Sequence, residues 1–236
     1  MQKAKETISF GDKIDNFVKN NRKVILTTLS ILVILFVGTI TFIFISDATE
    51  KREIEEVEEL NTRFEALLPV QHRNFLEAED FHSHDIDVLL ADLETFLEKS
   101  SIFTRGMGFA RSRAWFITAQ IHSGREDWSL AESAWISSAQ AGARTYLAPL
   151  ALFNGAAAAE EQGNLEQAIE LLQQSISGSF EFPMAARAQF SIGRLYEQQG
   201  NIPAAIEAYR AVLINWPNMP VFPNMARSRI ISLELE

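Results

Sequence analysis

ARAQFSIGRLYEQQGNIPAAIEAYRAVLINWPNM, residues Ala186 to Met219, decides the fold. It reads as two helices split at Gly200-Asn201. A glycine followed by asparagine ends the first helix in a left-handed cap, and Pro203 suits the first turn of the second. Two antiparallel helices in close contact need small residues where their backbones approach, and Gly193 and Ala205 supply them. The rings of Tyr196 and Tyr209 fill the space beside these small residues.

Parts of this pattern recur upstream. Ala131, Ala168 and Ala205 stand 37 residues apart, as do Trp135, Leu172 and Tyr209. Gly163-Asn164 and Gly200-Asn201 keep the same interval. Ala110-Arg111, Ala186-Arg187 and Ala226-Arg227 form a second matching set. Self-similarity at a fixed period marks stacked repeats, and no stretch alternates with period two as strands do. The stretch from Ala186 resembles a tetratricopeptide repeat, a helix–turn–helix unit. Ile192-Gly193 takes the place of the Leu-Gly pair of the first helix, and Tyr196 the aromatic position after it. Ala205, Tyr209 and Pro217 take the small, aromatic and terminal proline positions; Gln189 replaces the usual Trp. In the copy from Pro149 to Phe182, Ala156, Ala159 and Leu172 replace the glycine and both rings. The copy from Ala110 to Gly142 keeps Ala131 and Trp135, with a turn, SGREDW, that is two residues longer. Residues 75–105 are a further degenerate copy, and Pro223 to Leu235 reads as a capping helix.

Toward the N-terminus, Val24 to Ile45 is a run of 22 uncharged residues, VILTTLSILVILFVGTITFIFI. As a helix it spans about 33 Å, enough to cross a hydrocarbon core of about 30 Å. A buried helix of a globular domain would keep a polar stripe, which this run lacks. The first 23 residues carry six Lys and Arg against three acids; from Asp47 onward there are 15 basic and 28 acidic residues. The positive-inside rule then puts the N-terminus in the cytoplasm. A cleaved signal peptide competes, with Ser46-Asp47-Ala48 as its site, but the run is long for one. The expected organisation is a basic cytoplasmic tail (1–23), a transmembrane signal anchor (24–46), a membrane-proximal helical region (47–105) and a tetratricopeptide-like domain (106–236). Within 47–105, Thr49 to Leu68 and Asp85 to Lys99 read as helices. Pro69 stops the first, which docks on the domain or dimerises the chain as a short coiled coil. The fold class is all-α: one membrane-spanning helix, then an α-solenoid.

The chain has no cysteine, which excludes disulfides, thiolate chemistry and iron–sulfur clusters. Its net charge of −10 excludes a general nucleic-acid binder. No phosphate loop, dinucleotide fingerprint or zinc-protease motif occurs, so an enzyme is not expected, and no cofactor is implied. His82-Ser83-His84, between Asp80 and Asp85, is the one ligand-like cluster. Without a third partner it reads as a polar loop, and no metal site is assigned.

The resemblance implies a concave groove lined by the second, fifth, ninth, twelfth and thirteenth residues of each first helix. In the last copy these are Arg187, Phe190, Arg194, Glu197 and Gln198. In the middle copy they are Leu150, Phe153, Ala157, Glu160 and Glu161. In the first, counted from Ala110, they are Arg111, Ala114, Thr118, Ile121 and His122. The lining lacks the Lys and Asn set that clamps a C-terminal carboxylate. Of the 15 basic residues after the run, 13 are arginine, which suits bidentate contacts at an interface.

A short basic tail, one span and a degenerate repeat domain resemble the bitopic periplasmic ancillary subunits of the Sec translocon. That resemblance implies a scaffold in the bacterial inner membrane, its C-terminal domain periplasmic, joining the translocon to periplasmic chaperones. A structural scaffold for cell-wall synthesis or division is the alternative. Homo-oligomers fit either.

Overall fold

The computed structural model describes residues 10–68, 83–99, 108–178 and 181–235, with side chains from residue 17 onward. Among these residues the elements are all helices. They are α1 (Phe10–Leu67), α2 (His84–Lys99), α3 (Phe109–Gly124), α4 (Trp128–Ala141), α5 (Leu147–Glu161), α6 (Leu165–Ser177), α7 (Ala185–Gln198), α8 (Ile202–Asn215) and α9 (Phe222–Leu235). The chain divides into two compact units, Met1–Ala48 and Thr49–Glu236.

The first unit carries the uncharged run. Apart from the half-buried Ile25, its large apolar side chains from Val24 through Ile45 are exposed. Among the described residues this is the one helix long and apolar enough to cross a membrane. Three of its threonine hydroxyls bond back within the helix, among them Thr28, which donates to the Val24 carbonyl at 2.8 Å, and Thr39, which donates to that of Leu35 at 2.7 Å. Such back-bonding keeps polar groups out of competition with an apolar medium.

In the second unit α3/α4, α5/α6 and α7/α8 form helix pairs, each joined by the same three-residue turn. Gly163 and Gly200 adopt φ of +76° and +74°. The N–H of Asn201 donates to the Tyr196 carbonyl and that of Gly200 to the Glu197 carbonyl, both at 2.8 Å. This is the double bond pattern of a left-handed helix stop. The side chains of Asn164 and Asn201 then cap the next helix, accepting from the N–H groups of Gln167 and Ala204.

The first copy departs from the sequence reading here. Its turn has the same length as the others, because Ser123 and Gly124 belong to α3. Glu126 holds the left-handed position at φ 61°. Asp127 N–H donates to the His122 carbonyl at 3.0 Å, and Glu126 N–H to that of Ser123 at 3.1 Å. Glu126, Gly163 and Gly200 are therefore equivalent, 37 residues apart, and the three pairs share one register.

The core follows that register. Ala131, Ala168 and Ala205 are fully buried, and so is Tyr209, at 1% exposure. A Cβ placed on Gly193 would stand 2.5–2.8 Å from three atoms of the Tyr209 ring. Where Leu172 replaces that ring, Ala156 replaces the glycine, so the smaller partner leaves room for a methyl. Proline at residue 217 stands in the turn after α8, exposed.

The last turns of α1 pack Val57, Leu60 and Phe64 against Ile86, Leu89, Leu93 and Phe96 of α2, and against Ala114, Ile117 and Ile121 of α3. Arg63 pairs with Asp92 at 2.7 Å across α1 and α2. Pro69, and the parts of the 75–105 copy on either side of the Ser83–Lys99 stretch, lie outside the described residues. At the other end α9 sets Ala226, Ile230 and Leu233 on Ala205, Tyr209 and Val212 of α8.

Gly193→Ala is expected to destabilise this unit by about 1–3 kcal/mol through overpacking, in spite of the ~1 kcal/mol that alanine gains in helix propensity. The midpoint of chemical denaturation checks this; an unchanged or higher midpoint would show that the glycine–ring contact is not made.

Candidate functional site

The groove expected on the first helices is best followed through one ring. Phe153 of α5 and Phe190 of α7 occupy the fifth position of their copies. In the shared register the α3 counterpart is Phe116, which the count from Ala110 had passed over. The three phenylalanines stand 37 residues apart, so the signal was in the sequence. Each is braced from the side. Phe116 meets Trp135 edge-on at 4.6 Å. Phe153 lies 5.8 Å from Phe182, and Phe190 lies 5.1 Å from Tyr209 and 5.9 Å from Phe222. The Arg187 guanidinium sits 5.5 Å above the Phe153 ring, within cation–π range.

The α3 lining is corrected by the same shift of two residues. Ala114, Thr118 and Ile121 are buried in the core, so they cannot face a partner. Their counterparts in the shared register are Gln120 and Ser123, half-buried, and Phe116, which is buried at 7% exposure and reaches the surface only at the cleft described below. Arg111 donates from Nη1 to the Leu97 carbonyl at 2.8 Å, tying α3 to the end of α2. Its counterpart in the shared register is Arg113. Leu150 and Phe153 are half-buried, and Arg187 is exposed.

The charged residues singled out from sequence are brought together, chiefly with one another. Arg194 makes a bidentate pair with Glu160, both bonds 2.6 Å, joining α7 to α5. Glu197 is held by Arg229 of α9 through both oxygens and accepts from the Tyr209 hydroxyl at 2.5 Å. The position of Glu197 recurs. In the first copy Ser123 accepts from the Trp135 indole at 3.1 Å, the same pair of sites. In the middle copy Leu172 has no polar atom, and Glu160 turns to Arg194 instead. The Arg229 hydrogen bond holds the Glu197 carboxyl below the usual carboxylate range, against the opposing effect of burial. Burial, with the bond to Glu197, pushes the Tyr209 phenol well above its ordinary value.

Beyond this ladder, toward α3, lies an open cleft of about 470 Å³. Phe64, Phe116, Trp128 and Trp135 form its aromatic walls, and Gln120, Asn154 and Glu161 its polar lining. Phe64 comes from the end of α1, a contribution the sequence reading did not foresee.

His82 of the ligand-like cluster lies outside the described residues, as does His72. His84 opens α2. Among the described residues no group of three or more His, Asp or Glu side chains is placed to hold a metal. His122 faces Asp127 at 3.7 Å. Burial lowers its pKa in spite of that carboxylate.

A family model described as a tetratricopeptide repeat matches residues 153–220. A curated relative, a TPR repeat-containing protein of Treponema pallidum (strain Nichols), is 34% identical over 149 residues. That match covers 63% of this chain, and the chain spans 60% of the length of the relative. Two crystal structures of TPR-like repeats from a Podosopora anserina putative kinesin light chain superpose with TM-scores of 0.51 and 0.52. Both are 14% identical to this chain; each covers 75% of it, and 86% and 85% of their own chains are matched. The family model and the relative support the tetratricopeptide-repeat family, and the solved structures support the solenoid fold.

The depressed Glu197 pKa makes a pH prediction. A carboxylate whose folded pKa lies below its unfolded value adds stability above the unfolded pKa. That stability is lost as pH falls through the folded value. Between about pH 5 and pH 3 the melting temperature of the native protein should therefore fall more steeply than that of Glu197→Gln. Parallel profiles for the two proteins would show that the Arg229–Glu197–Tyr209 cluster does not respond to protonation.

Proposed function

We propose that the protein is a membrane-anchored scaffold for protein–protein interactions in the bacterial envelope. The observation that carries this reading is the pair of half-buried rings Phe153 and Phe190 on successive first helices, with Arg187 exposed beside them and an open cleft walled in part by Phe116. Aromatic and arginine side chains on a preorganised surface are the usual anchors of protein recognition. Stacked helical repeats of this kind present extended concave surfaces suited to binding partners.

The anchoring rests on the uncharged, exposed run from Val24 to Ile45 and on the charge difference across it. The N-terminus is then cytoplasmic and the repeat unit extracytoplasmic. The supporting features are a length that matches the hydrocarbon core and threonines that bond back to their own helix. A role in protein export, joining the translocon to periplasmic chaperones, follows from the resemblance of this whole organisation to the ancillary translocon subunits. The relative in Treponema pallidum fits a bacterial setting.

Photo-crosslinking residues placed at Leu150, Phe153 and Arg187 in living cells test the reading. Groove positions should capture translocon subunits or periplasmic chaperones, while the exposed Gln173 on α6 should not. Capture of no protein from the groove would overturn the scaffold reading. Capture of cell-wall or division proteins alone would overturn the export role.

A further inference from the structure

Charge is unevenly available along the groove. Toward α7 and α9 the ionic side chains neutralise one another, Glu160 with Arg194 and Glu197 with Arg229. Toward α3 the groove is open. Glu161 is exposed, and among the described residues it has no ion-pair partner; the amides of Gln120 and Asn154 likewise have no hydrogen-bond partner there. Among the described residues no basic side chain lines the cleft. Arg113 and Arg187, the other groove cations, stand within the first two turns of α3 and α7, whereas the cleft follows the last turns. The ten residues from Arg113 to Ser123 place the two ends about 15 Å apart along α3.

These features select among occupants. Aromatic faces carry negative quadrupole charge and attract a cation, and Glu161 adds a full negative charge. An acidic side chain would meet both as repulsion. A purely apolar one would desolvate Glu161 and the two amides without giving them partners, which costs free energy. A guanidinium or ammonium group satisfies all of them: it can sit against Trp128, the half-buried ring of the wall, pair with Glu161 and donate to the amide oxygens. The domain around the cleft, with 28 acidic against 15 basic residues, favours approach of a basic segment.

Resting on the reading that the groove binds partner proteins, we infer that this cleft is its specificity pocket and takes an arginine or lysine side chain of an extended partner segment. The end of α1 completes the pocket through Phe64, which is 3% exposed and held in the core shared with α2 and α3. The helix that follows the uncharged run thus helps form the recognition site.

The full chain in detergent micelles provides the test. Two fluorescein-labelled nonapeptides serve as probes, identical except for an arginine or a glutamate between two central leucines. Fluorescence polarisation should show the arginine peptide binding about tenfold tighter. Rising salt should shrink that preference. Glu161→Gln, an exposed change, should reduce it to about threefold or less. Ala157→Arg, which fills the rim with a competing cation one helical turn from Glu161, should abolish binding of the arginine peptide. Equal binding of the two peptides, tighter binding of the glutamate peptide, binding of neither, or a preference unmoved by Glu161→Gln would each overturn the pocket. Equal binding would leave the scaffold reading standing, since that reading falls on the crosslinking result alone.

Discussion

A three-residue turn whose middle residue is left-handed sets the phase of everything that follows in the repeat unit. It fixes where the second helix of each pair begins relative to the end of the first. Once that is fixed, the small residue on one helix meets the large residue on the other: Gly193 with Tyr209, Ala156 with Leu172. The same phase puts a phenylalanine of each first helix on the groove and brings the twelfth residue beside the ring of its partner helix. A groove register two residues earlier would turn Ala114, Thr118 and Ile121 outward, all of them buried, a loss of apolar burial that no surface contact offsets.

The polar contacts between neighbouring pairs are layered on that packing. Glu160–Arg194 and Glu197–Arg229 link first helices across repeats, and Gln199 donates to Glu166 at 2.9 Å between α7 and α6. The arginines of both ion pairs are open to solvent, so the net contribution of each pair is small, about 0–1 kcal/mol. Their larger effect is on the character of the groove. By neutralising one another they leave its α7 end near electrical balance, and the α3 end is left with Glu161 and the unpartnered amides. One row of equivalent positions therefore gives two surfaces of different chemistry.

Much of the fold is legible in the sequence because its signals are steric and recur at a fixed interval. Gly200-Asn201, Ala205 and Tyr209 each have a local physical reason, and the same reasons hold 37 residues earlier. The first copy was harder to read because Glu126 stands where its counterparts are glycines, and this hid a turn that the backbone makes anyway. A count from Ala110 puts the groove residues of α3 on core positions and skips Phe116, although its interval to Phe153 and Phe190 is visible. Other features had no sequence signal. Glu160 and Arg194 are 34 residues apart and Glu197 and Arg229 are 32 apart, so no fixed spacing announces them. The packing of the α1 end on α2 and α3 is a long-range contact between apolar stripes whose partners their own periodicity does not name. The charge asymmetry across the uncharged run, by contrast, is a property of composition and is read directly.

The common register rests on Glu126 occupying the left-handed site, and a single substitution addresses it. A non-glycine residue there costs about 1–2 kcal/mol relative to a right-handed conformation, of which glycine gives back part through its freedom in the unfolded chain. The stability of Glu126→Gly, measured by chemical denaturation beside the native protein, should rise by about 0.5–1 kcal/mol. A fall in stability would mean that Glu126 is right-handed, that the first turn differs from the other two, and that the groove positions assigned to α3 are wrong.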